Sequence, residues 1–117
     1  MKLLRWLFGR SRSPRGLHYG EEAARWAEGY YPKAMQPVAA YVVDLLCVHA
    51  GRPISGIKPG MYFVDDLGMD DLEPVEFLLA IEEGLSVKIE EEEAKYLQTV
   101  AVLIEYLGER LVETGMV

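Results

Sequence analysis

The feature that most limits the fold of this chain is a helical apolar period that returns three times, with no matching strand alternation. Val38, Tyr41, Val42, Leu45, Leu46 and His49 repeat at about 3.6 residues. Phe77, Leu78 and Ile81 form a second stripe, and Val100, Leu103, Ile104, Leu107 and Leu111 form a third. No hairpin dipeptide lies between alternating runs, and no internal repeat is present. The spacing predicts an all-α bundle with helices over residues 37–50, 72–84 and from about 99 onward.

Stop and start signals fit these limits. Pro37 suits a first turn and Gly51 a stop. Asp70 or Asp71 can cap the helix at 72, and Glu73, three residues after Asp70, completes a possible capping box. Pro74 is tolerated because early N–H groups have no helical partner. Thr99 can cap the last helix. The run Glu90–Leu97 reads as an acidic turn or short helix.

Two further segments precede the bundle. Ala23, Trp26, Ala27 and Tyr30 place a helix over residues 20–31, ended by Pro32, with its aromatic side toward the main domain. Residues 1–18 are basic, with Leu3, Leu4, Leu7 and Phe8 on one side of a short helix and Lys2 and Arg5 on the other. That pattern allows contact with a membrane surface or a partner, but a solvated terminus is the simpler reading. Arg5 interrupts an apolar run too short for a signal peptide. The division expected is residues 1–35 as tail and extra helix, and residues 36–114 as the main helical domain. Residues 51–71 form a long connection that Ile54, Ile57, Tyr62, Phe63 and Leu67 can pin to the core.

Charge narrows the function. Residues 1–20 carry Lys2, Arg5, Arg10, Arg12 and Arg15 and no acid. The remaining 7 of 12 bases face all 19 acids, so the body carries −12 within a net −7. A body this acidic is repelled by phosphate backbones, which excludes nucleic acid and favours a basic partner protein. No run approaches the ~20 apolar residues of a membrane span. Cys47 stands alone, consistent with a reducing cytoplasm, and neither it nor His49 has the spacing of a zinc site. His18 and His49 lie in unrelated segments and no nucleophile–base pair is evident, so no enzyme is expected. Asp65, Asp66, Asp70 and Asp71 offer at most weak cation attraction, and no metal site is expected.

The stretch Phe63-Val-Asp-Asp-Leu-Gly-Met-Asp-Asp-Leu-Glu-Pro-Val-Glu-Phe77 resembles the signature loop of acyl carrier proteins, Asp-Leu-Gly-x-Asp-Ser-Leu. Ala80–Glu83, Lys88–Ala94 and Thr99–Tyr106 continue the likeness in the same order, which spans about Val38 to Val112. The resemblance implies a right-handed bundle of three main helices and one short one, here with an N-terminal helical extension. It also implies that the helix of residues 72–84 is a docking face for basic partners. By position Asp70, Asp71, Leu72, Val75, Glu76, Leu79 and Glu83 belong to that face, although a carboxylate-rich face is often simply solvated.

In the family the serine after the second aspartate carries phosphopantetheine. The matching residue is Asp71, so the resemblance implies no prosthetic arm. Asp71 then either imitates the charge of a modified carrier or is only an N-cap, and the cap is the simpler reading. The expected function is a non-enzymatic, monomeric interaction or regulatory module without cofactor. The alternatives are a true carrier in fatty-acid or polyketide-type synthesis, modified at another site, and a binder of an acyl chain or similar apolar ligand.

Overall fold

The structure is a computed structural model, and it describes residues 17–113. The basic tail of residues 1–16 therefore lies outside the described residues, as do residues 114–117. The described residues form five α-helices and no strand: α1 (Glu21–Tyr30), α2 (Gln36–Ala50), α3 (Glu73–Leu85), α4 (Glu91–Ala94) and α5 (Val100–Glu113). Short 3₁₀ turns lie at Lys33–Met35 and Ile54–Gly56. Among the described residues, no helix is long and apolar enough to cross a membrane.

α5 follows its sequence pattern closely. Val100, Leu103, Ile104, Leu107 and Leu111 are all buried. Thr99 caps the helix, its Oγ1 accepting the Val102 N–H at 3.1 Å. α2 is buried more widely than one stripe predicts. Val38, Val42 and Leu46 are in the core, but so are Ala39, Ala40 and Val43, while Tyr41, Leu45 and His49 are half-buried. The cause is α1, which covers a second side of α2 with Ala23, Trp26 and Ala27. The Trp26 indole N–H donates to the Ile57 carbonyl at 2.7 Å, tying α1 to the long connection. Tyr30, expected on that packed side, is instead 48% exposed, with its ring 5.0 Å from Trp26.

α2 ends where Gly51 takes the left-handed conformation at φ 66°. Its N–H donates to Val48 O and that of Arg52 to Cys47 O, satisfying two orphan carbonyls of the last turn. Cys47 donates its Sγ–H to Asp44 O at 3.1 Å, and burial, then Asp44 and Glu22, push its thiol pKa up. That is the behaviour of a packing cysteine rather than a reactive one.

The connection from 51 to 71 is ordered by its own bonds. Phe63 N–H donates to Gln98 O and Val100 N–H to Met61 O, around an isolated antiparallel bridge between Tyr62 and Thr99. Ile54, Ile57, Phe63 and Leu67 are buried as expected, and Met69 joins them. Tyr62 does not. Its backbone makes the bridge and its ring is exposed.

Candidate functional site

The loop before α3 is built by its own backbone and one aspartate. The N–H groups of Asp66 and Leu67 both donate to Tyr62 O, and Asp66 Oδ2 accepts the Tyr62 N–H at 2.8 Å. Gly68 follows at φ 73°, in the left-handed region that favours glycine. Met69 N–H then donates to Phe63 O, and the chain turns into α3.

At that turn two adjacent aspartates separate in role. Asp70 Oδ1 accepts the N–H groups of Leu72 (3.0 Å) and Glu73 (2.9 Å). Glu73 Oε1 accepts the Asp70 N–H in return at 2.9 Å, closing a reciprocal capping box. Asp71 makes no hydrogen bond or ion pair among the described residues and is exposed. The reading of Asp71 as the N-cap is thus corrected: Asp70 already satisfies the donors a cap at 71 would serve. Asp70→Ala is expected to cost about 0.5–2 kcal/mol, and Asp71→Asn no more than about 0.5 kcal/mol. Urea unfolding of both variants checks this, and the reverse order of costs would return the cap to Asp71.

α3 has two opposite faces. Phe77, Ile81 and Leu85 are fully buried, Phe77 edge-on to Phe63 with ring centroids 5.7 Å apart. Leu78, expected in that core, is only half-buried. Gly84 passes close under Tyr41, where a Cβ would fall 2.8 Å from Tyr41 Cζ. On the other side Leu72 is 66% exposed, Val75 53% and Leu79 56%. With Glu76 and Glu83, both exposed, these residues fall within an arc of about 100° by helical spacing. Neither glutamate is bonded to another described residue. Glu82, the neighbour of Glu83, is not free: its Oε2 accepts the Ile89 N–H at 2.6 Å and holds the loop after α3.

The exposed face continues into a groove of about 520 Å³ between the loop, α3 and α4. Phe63, Val75, Leu78 and Leu97 line it, and Val75 belongs to both surfaces. On its far side α4 is clamped to α5, where Tyr106 Oη donates to Glu93 Oε1 and receives Arg110 Nη1. No base lies between Lys58 and Lys88, a span that holds eight acids. Among the described residues, no three or more His, Cys, Asp or Glu side chains come together as a metal-holding group.

The described residues thus form a small helical bundle with a capped α3, a glycine turn before it and an exposed apolar–acidic face. The protein family described as "Phosphopantetheine attachment site" matches residues 40–107. The chain belongs to this family. It is also similar to an acyl carrier protein of Helicobacter hepaticus, 38% identical over 72 residues that cover 62% of this chain and 90% of that protein. The carrier-family match begins inside α2, so α1 and the tail precede it. The bundle of α2, α3 and α5 with the short α4 is the all-α carrier architecture that the resemblance implied. The stretch from Phe63 to Leu85 contains no Ser, Thr or Tyr.

Proposed function

We propose that this protein is a carrier-fold interaction module that does not bear phosphopantetheine and has no catalytic activity of its own. In this reading Asp71 stands where carriers hold the attachment serine. Residues 36–114 are the carrier-like unit, and residues 1–35 are an addition to it. The α3 face of Asp71, Leu72, Val75, Glu76, Leu79 and Glu83 meets a partner protein with a basic surface.

The observation that supports this most is the division of labour between the two aspartates. Asp70 caps the helix, which leaves Asp71 as an exposed carboxylate with no structural task at the positive end of the helix dipole. A phosphodiester would place a negative charge in the same place, so Asp71 supplies that charge without an arm. A carboxylate is also the wrong nucleophile for a lasting attachment, because its phosphoryl derivative is a readily hydrolysed acyl phosphate.

Intact-mass measurement after incubation with coenzyme A and a phosphopantetheinyl transferase tests the reading. The native chain is expected to keep its mass, and Asp71→Ser to gain one arm. A gain on the native chain would make the protein a true carrier modified at another residue.

A further inference from the structure

We infer that the groove between the preceding loop, α3 and α4 is an anchor site for a partner protein, and that it takes a bulky apolar side chain flanked by lysine or arginine. This deepens the proposed docking face by naming what the partner presents there, and it rests on that reading. The exposed side of α3 is one side of a helix, so a group laid on Leu72 or Leu79 stays partly wet. Val75 leads from that side into the groove of about 520 Å³. Such a volume falls in the roughly 300–1,000 Å³ range of sites that enclose a small molecule. Its lining grades from wet to dry: Val64 and Val75 are exposed, Leu78 is half-buried, and Phe63 and Leu97 are buried. An apolar side chain is fully desolvated only in such a recess, and recesses of this kind hold the residues that dominate binding energy.

Charge selects the class of occupant. Asp65 on the loop and Glu91 on α4 both line the groove and are exposed, and neither has a hydrogen bond or ion pair among the described residues. Lys95 is the one base in the lining, and its Nζ lies 5.5 Å from the centroid of the Tyr96 ring, which is outside the lining. An amphiphile with an anionic head would bring like charge to Asp65 and Glu91. A second copy of this chain would set one acidic α3 face against another. A base beside an apolar side chain meets both carboxylates as the side chain enters.

The groove is braced without an occupant. α4 is held back on α5, where Tyr106 Oη donates to Glu93 Oε1 at 2.6 Å and accepts from Arg110 Nη1 at 2.7 Å. Glu82 Oε2 fixes the chain entering α4 through the Ile89 N–H. The loop is tied to the chain leaving α4 where the Phe63 N–H donates to Gln98 O at 3.0 Å. Walls fixed before binding spare the partner the cost of ordering them.

The test uses the full-length chain, nitrogen-15 NMR, and a short helical peptide built only from leucine and lysine as the probe. The expected result is a shift of the Val64, Ala94 and Leu97 amides together with those of Val75 and Leu79, lost when serine replaces the peptide's leucines. Binding is expected to weaken by about tenfold or more when Ala94→Trp fills the groove, and likewise when Asp65→Lys and Glu91→Lys reverse its charge. The charge variant keeps every apolar side chain of the lining, so it reads the groove independently of any packing change caused by Ala94→Trp. Unchanged affinity in both variants, with shifts confined to α3, would overturn the inference and leave the docking face standing. No binding of the peptide at all would overturn the docking-face reading itself, and the inference with it. Tighter occupation of the groove by dodecanoate than by the peptide would make it a site for an apolar anion instead. Groove-amide shifts that grow with protein concentration in the absence of peptide would make a second copy the occupant.

Discussion

Phe77→Ala is expected to lower the free energy of unfolding by about 3–5 kcal/mol, the range for truncating a buried aromatic. Phe77 has no exposed surface and meets Phe63 from the loop and His49 from α2, with centroids 5.7 and 5.6 Å away. It is therefore the side chain through which α3, the loop before it and the central helix share one core. Alanine would leave a cavity that three separate elements would have to close at once. Leu79→Ala, two residues further along the same helix but 56% exposed, is expected to change stability by no more than about 0.5 kcal/mol. Urea midpoints with unchanged slopes measure both. If Leu79→Ala cost as much as Phe77→Ala, the exposed face of α3 would be part of the fold, not a surface kept for a partner.

The contrast between Phe77 and Leu79 also shows what the amino-acid sequence makes legible. A helix packed on one side writes its burial as a period. In α5 every residue of the stripe is buried, and Thr99 caps it as its position suggests. α2 is packed on two sides, so its period blurs, and Ala39, Ala40 and Val43 are buried outside the stripe. Ala39 and Ala40 are too small to give a strong apolar signal, and Val43 lies off the stripe by helical spacing.

The connection of residues 51–71 has no period to read. Ile54, Ile57, Phe63 and Leu67 were legible from hydrophobicity alone. Tyr62 and Met69 were not, because backbone bonds to Thr99 and Phe63 decide which of the loop's side chains turn inward. Polar roles divide in the same way. Asp70 and Asp71 are chemically identical neighbours, and only the reciprocal spacing to Glu73 favours Asp70 as the cap. Glu82 and Glu83 likewise look interchangeable, but the chain after α3 returns beneath Glu82 and takes its carboxylate. The exposed face was legible as a set of positions. Which of its charges are free depends on loops whose paths the sequence does not spell out.

Trp26 separates an appendage from an integral helix. Trp26→Phe keeps most of the apolar bulk but removes the N–H that Ile57 O accepts at 2.7 Å inside the protein. Ile57 is itself buried, so its carbonyl loses a bond that water cannot readily replace, at an expected cost of about 1–3 kcal/mol. Trp26→Ala adds a cavity between α1, α2 and the connection, and about 3–5 kcal/mol is expected in total. The difference between the two variants isolates packing from the hydrogen bond. Both losses are expected in a single unfolding transition, seen at the same urea concentration by far-ultraviolet and by near-ultraviolet circular dichroism. α1 shares one continuous core with α2, α3 and α5, which is the reason to expect one transition. An early loss of helicity that leaves the main transition unmoved would mean that the carrier bundle is complete without α1. One concerted transition would mean that a helix outside the family match has become part of the platform that holds α3 in place.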